Sequence, residues 1–157
     1  PDPPGGWSPS RSDEYSKRLE KYNPELGKQM RSVWQTFYGG SENSERASLA
    51  IMRELYNHFF AVIAPDDKIR SSEYFCTKEG DKANQVHRKE RIRYAANKSI
   101  SDGDLGAALE AQAEYIDNVY SKLNKMHKRG ELKRDETLEV LTSMQTILEE
   151  WIDALSL

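Results

Sequence analysis

An all-α bundle of five to six helices, closed by an antiparallel C-terminal helical hairpin, is the fold this sequence predicts. Four segments carry apolar residues at helical spacing between start and stop signals. Val and Thr number only five each while charged residues reach 31%, a balance that favours helix over sheet. The joint at Gly130 between the last two periodic segments is short, as an antiparallel pair requires.

Residues 1–11, PDPPGGWSPSR, hold four of the six prolines and are expected to form a flexible linker or arm, with 12–157 as a single helical-bundle domain. Ser12 is placed to cap a short polar helix that Asn23-Pro24 stops. Asn23 as N-cap and Pro24 in the first turn open the next, with Leu26, Met30, Val33, Trp34 and Phe37 on one face and Gly39-Gly40 at its end. A third helix, from about Ser44 to Ala64, presents Leu49, Met52, Tyr56, Phe59, Phe60 and Ile63. Ile51, Leu55 and Val62 widen that face, so this helix is the expected centre of the core.

Pro65 closes it, and 65–82 is expected as polar loop anchored by Ile69, Tyr74 and Phe75, with room for a turn of helix. A basic helix over 83–98 is built around Val86, Ile92 and Tyr94. Ser101 or Asp102 then caps a long helix to about Lys128, with Leu105, Leu109, Ile116, Val119, Tyr120 and Leu123 expected to face inward. Asp135 begins the last helix. Its stripe is Leu138, Leu141, Gln145, Leu148, Ile152 and Leu155, widened by Val140, Ile147 and Trp151.

Composition narrows the function classes. Leu, Ile, Val and Phe total 30 of 157 residues, close to the range of disordered chains, yet a net charge of −3 lacks the self-repulsion that disorder normally combines with it. No apolar run approaches the ~18 residues of a membrane span and residues 1–11 do not have the pattern of a signal peptide, so no membrane partner and a cytoplasmic location are expected. Cys76 is the single cysteine, which excludes an internal disulfide and a cysteine-rich zinc site. Phosphate-loop, dinucleotide and hydrolase-elbow motifs are absent. The close carboxylate pairs (Asp66 and Asp67, Asp102 and Asp104, Glu149 and Glu150) do not combine with a His at metal spacing, so neither metal nor cofactor is expected.

Three constellations could carry chemistry. Arg53 and His58 match R-x4-H, a pattern of helical ribonucleases, but five residues of unbroken helix set them about 140° apart, so they are expected to be accessory and not to converge on one phosphate. Residues 82–98 carry a local charge of +5, with Arg88, Lys89, Arg91, Arg93 and Lys98 as candidate nucleic-acid contacts; the alternative is a solvated face paired with acidic neighbours such as Glu79, Asp81 or Asp104. Asn124 and His127 lie three apart at the end of the long helix, hence on one side of it, where a His also suits the macrodipole.

Over roughly four-fifths of its length the chain resembles the helical domain of the predicted Piwi-associating nucleases of bacteria, which are HEPN-like in general appearance. The resemblance is carried by SLAIMRELYNHFFAVIAPDDKI at 48–69, HRKERIRYA at 87–95 and LNKMH at 123–127. It implies a defence-associated module that binds nucleic acid, RNA or DNA, with metal-independent His/Arg chemistry if it is catalytic. Arg91, Arg93, Asn124 and His127 are the positions it marks. LNKMH has no Arg four to six residues before His127, so a catalytic Arg would come from elsewhere, Arg91 or Arg93 first. Other proteins of a defence system would then be partners. The competing class is a non-catalytic interaction or homodimerisation domain of a larger protein.

Overall fold

The computed structural model describes residues 9–77, 80–128, 130 and 132–157, without the side chains of 9–11, 123, 126 and 127. Among the described residues the structure is entirely helical. The elements are α1 Pro9–Tyr22, α2 Pro24–Tyr38, α3 Ser44–Ile63, α4 Asp66–Arg70, α5 Arg88–Lys98, α6 Gly103–Lys128 and α7 Arg134–Ala154. Helix α3 packs on α2, α5 and α7, α6 packs on α5 and α7, and α1 lies on α2 and α7.

Two of the caps read from sequence are in place. Asn23 Oδ1 accepts from the Glu25 and Leu26 amides at 3.1 and 3.3 Å. Asp102 Oδ1 accepts from those of Asp104 and Leu105 at 3.0 and 3.1 Å. In both cases a short side chain satisfies amides that a helix start leaves unpaired. The apolar faces of α2 and α3 are buried from Leu26 to Phe37 and from Leu49 to Phe60, and Trp151 of α7 meets Phe60 edge to face at 5.1 Å.

One polar group is built into this core. The Trp34 indole N–H donates to Gln145 Oε1 at 3.1 Å, and Gln145 Nε2 donates to Glu149 Oε2 at 2.9 Å. At the far end of α7, Arg134 donates to Glu45 and to the Phe37 carbonyl at 2.9 and 3.2 Å, and its guanidinium lies 4.1 Å from the Phe37 ring centroid. On the other flank, Asp153 accepts from the Tyr15 hydroxyl and from Arg18 Nη1, both at 2.7 Å, while Arg18 Nε donates to the Leu157 carbonyl at 3.0 Å.

Three details differ from the sequence reading. Helix α1 begins at Pro9, so Ser12 lies inside it, and its carbonyl accepts from Ser16 Oγ at 2.8 Å. Residues 1–8 of the expected arm are outside the described residues. The loop after Pro65 holds the short α4, the turn of helix for which the sequence left room. Helix α5 starts at Arg88 and not at 83, because Asn84 is left-handed (φ 61) and His87 is extended, which no α-helix can run through. Leu105 is 41% exposed. The buried stripe of α6 is instead Gly106, Leu109, Ala113 and Ile116, centred on small residues because α5 approaches closely there: a Cβ on Gly106 would lie 2.5 Å from the Ala96 carbonyl oxygen. None of the described helices is long and apolar enough to cross a membrane.

Candidate functional site

Helices α5 and α6 run antiparallel and are laced by charge. Arg88 Nη1 donates to Asp117 Oδ1 at 3.0 Å, Lys89 Nζ lies 4.0 Å from Glu114 and Arg93 Nε 3.9 Å from Glu110. On other elements, Arg91 binds Asp66 and the Ala64 carbonyl, pinning the α3–α4 turn, and Lys98 Nζ lies 3.8 Å from Glu73. Each cation proposed from sequence as a nucleic-acid contact therefore has a carboxylate near it. The partners differ from the expected Asp81 and Asp104; Glu79 lies outside the described residues. The signal for them was present in the sequence, since Glu110, Glu114 and Asp117 recur at 0, 4 and 7 and share one face of a helix.

Where α3 meets α6 the arrangement differs. The exposed Arg53 guanidinium lies 5.2 Å from the Tyr120 ring centroid, and among the described residues no carboxylate is within 4 Å of it. A guanidinium over a ring face keeps its donors free at the edge of its plane. Asp117 lies one turn before Tyr120 on α6 and Asn124, half-buried, one turn after it. Burial pushes the Asp117 carboxyl above the usual range, against the pull of Arg88 and Arg53. Tyr56 of α3 is buried and its hydroxyl has no hydrogen-bond partner; burial and the Asp117 charge both hold it strongly in the neutral form. Neither Tyr56 nor Asp117 was singled out from sequence, because an aromatic on a core stripe and an isolated acid on a long helix carry no motif.

The geometry thus separates the residues marked from sequence. Arg93 meets α6 at Glu110, fourteen residues or about 21 Å of helix before Asn124, and Arg91 is held at the α3–α4 turn. The guanidinium brought to the Asn124 end of α6 is that of Arg53. His58 is on the other side of α3, its Nδ1 2.9 Å from Gln29 Oε1 of α2, as the angular separation requires. His127 follows Asn124 by three residues on α6, and its side chain lies outside the described residues. Among the described residues no three His, Cys, Asp or Glu side chains gather as metal ligands would.

Neither the curated proteins nor the solved structures give a match to this chain. The family model for the predicted pPIWI-associating nucleases, by contrast, matches residues 19–151, which takes in α2 to α6, most of α7 and every residue of the α3–α6 cluster, and the chain belongs to that family.

Proposed function

We propose that this domain binds nucleic acid and cleaves it by metal-independent His/Arg chemistry, as part of a cytoplasmic bacterial defence system, with the scissile phosphate seated where α3 meets α6. The observation that carries this reading is the exposed Arg53 guanidinium over Tyr120, free of any carboxylate within 4 Å among the described residues and on the level of α6 that leads to Asn124. Arg53 then binds the phosphate, Asn124 orients it, and His127 acts as acid or base. The strip Arg88, Lys89, Arg93 and Lys98 holds the flanking backbone, exchanging its carboxylates for phosphates. For Lys89, Arg93 and Lys98 that exchange costs little, because exposed ion pairs near 4 Å contribute at most about 1 kcal/mol.

A fluorophore-quencher assay on single-stranded RNA and DNA in the presence of EDTA tests the proposal. Arg53→Ala, Asn124→Ala and His127→Ala should remain folded and each lose about 100-fold or more in cleavage rate, the scale of a general acid or base. Cleavage of RNA alone, leaving a 2′,3′-cyclic phosphate, would identify the 2′-hydroxyl as the nucleophile. Full activity in all three variants, or no cleavage of either polymer, removes the catalytic assignment.

A further inference from the structure

The side of α6 that borders α7 carries an open seam. Tyr115 and Asp117 are about 160° apart around the helix axis, whereas Ile116 is only about 40° from Tyr120, so the seam and the phosphate site adjoin along one edge. Along the seam between α6 and α7 lie two adjoining cavities of about 460 and 230 Å³ that share Tyr115, Ile116 and Ser143. Tyr115 is 68% exposed, the most solvent-facing of the large apolar side chains among the described residues, with Ile147 and Val140 forming the floor beside it. From Glu136 to Glu150 the seam follows fourteen residues of α7, about 21 Å, the length of four turns of a helix laid alongside.

Two observations specify what fits. Among the described residues, the charged groups lining the seam are Glu136, Glu139 and Glu150 against Lys122 alone. In addition, Glu136 Oε2 is buried without a hydrogen-bond partner, and so is the hydroxyl of Thr142, a residue 5% exposed. A carboxylate oxygen taken from water and left unmatched is stabilised by an incoming cationic donor. A second copy of this chain would set acidic rim against acidic rim, and nucleic acid or an anionic lipid surface would be repelled for the same reason.

We infer that the α6–α7 seam docks a basic amphipathic helix of a partner protein, which lays its apolar stripe over Tyr115, Ile116 and Ile147 and its Lys or Arg side chains against Glu136, Glu139 and Glu150. The docked helix completes a three-helix arrangement and supplies the donor that Glu136 lacks.

The probe is a fluorescein-labelled 18-residue peptide of Leu and Lys with Leu at i, i+3, i+4 and i+7. A scrambled peptide of the same composition and a Leu/Glu counterpart serve as controls, all titrated by anisotropy against the full chain. The patterned basic peptide should bind at least about tenfold tighter than either control, and Glu139→Lys/Glu150→Lys and Tyr115→Asp should each weaken it about tenfold without moving the unfolding midpoint. Equal binding of the scrambled peptide, binding indifferent to these substitutions, or no binding at about 0.5 mM overturns the inference, since helix-in-groove contacts of this length give far tighter complexes. Concentration-dependent dimerisation abolished by Tyr115→Asp would assign the seam to a second copy and overturn it equally. None of these readouts depends on cleavage.

Discussion

Arg88 holds Asp117 at 3.0 Å, yet the Asp117 carboxyl titrates above its ordinary range, so burial outweighs the ion pair at this position. The same pair bears on Tyr56, whose buried hydroxyl has no partner. An acid kept partly dry beside two guanidinium groups occupies the place where an anionic ligand would gain most, and it holds that place at a cost to the fold.

The sign of that cost is measurable. A carboxyl whose folded pKa is raised contributes stability below its unfolded pKa, and that contribution is lost as pH rises through the folded value. Asp117→Asn removes the titration, so the unfolding midpoint of the variant should gain on the wild type between about pH 4 and pH 7. Midpoints recorded by circular dichroism across that range check it, and a constant gap would mean that burial does not oppose the charge.

The charge lacing of α5 on α6 gives a second test. If Lys89 and Arg93 contact phosphates, Glu110→Gln/Glu114→Gln removes their competitors and should raise nucleic-acid affinity several-fold at low salt, with a steeper dependence on salt as more counterions are released. Filter-binding titrations at about 50 and 200 mM salt read both quantities. Unchanged affinity would confine the strip to a structural role.

Gly106 and Gly103 make a matched pair on α6. A methyl group at Gly106 would stand 2.5 Å from the backbone oxygen of Ala96, whereas one at Gly103 meets nothing within 4 Å. Gly106→Ala should therefore cost about 1 to 3 kcal/mol by forcing α5 outward. Gly103→Ala should be neutral or stabilise by up to ~1 kcal/mol, through the unfolded chain. Urea denaturation of the two variants separates these outcomes.

Inside the core, Gln145→Ala leaves the Trp34 N–H and the buried Glu149 each without one partner, and also opens a cavity. A loss of about 2 to 4 kcal/mol is expected. Trp34→Phe in the same background should then cost less than it does in the wild type, because the bond to Gln145 is already gone.

The fold was legible to the extent that bulky residues define faces. Helices α2, α3 and α7 show their buried sides through Leu, Met, Phe and Trp at 3.6-residue spacing, and Asn23 and Asp102 announce helix starts through their own side chains. Helix α6 was harder to read, since its contact face rests on Gly106 and Ala113, which hydrophobic periodicity passes over. The site divided in the same way. Arg53 and His58 were separable by angle alone, and the structure keeps them apart. The pairing of α5 with Glu110, Glu114 and Asp117 needed knowledge of which helix lies beside which, and only tertiary packing supplies that.

The clasp of Asp153 by Tyr15 and Arg18, with Leu157 bonded to the same arginine, has a topological meaning. It brings the second half of α1 beside the residues that follow α7, so that Pro9 lies only about 13 Å of helix from the level of Leu157, a gap a short linker can span. A domain wired in this way can be interrupted elsewhere and rejoined here. A circular permutant that links Leu157 to Pro9 through a short Gly/Ser bridge, opened between Cys76 and Asn84, keeps every helix intact and should fold.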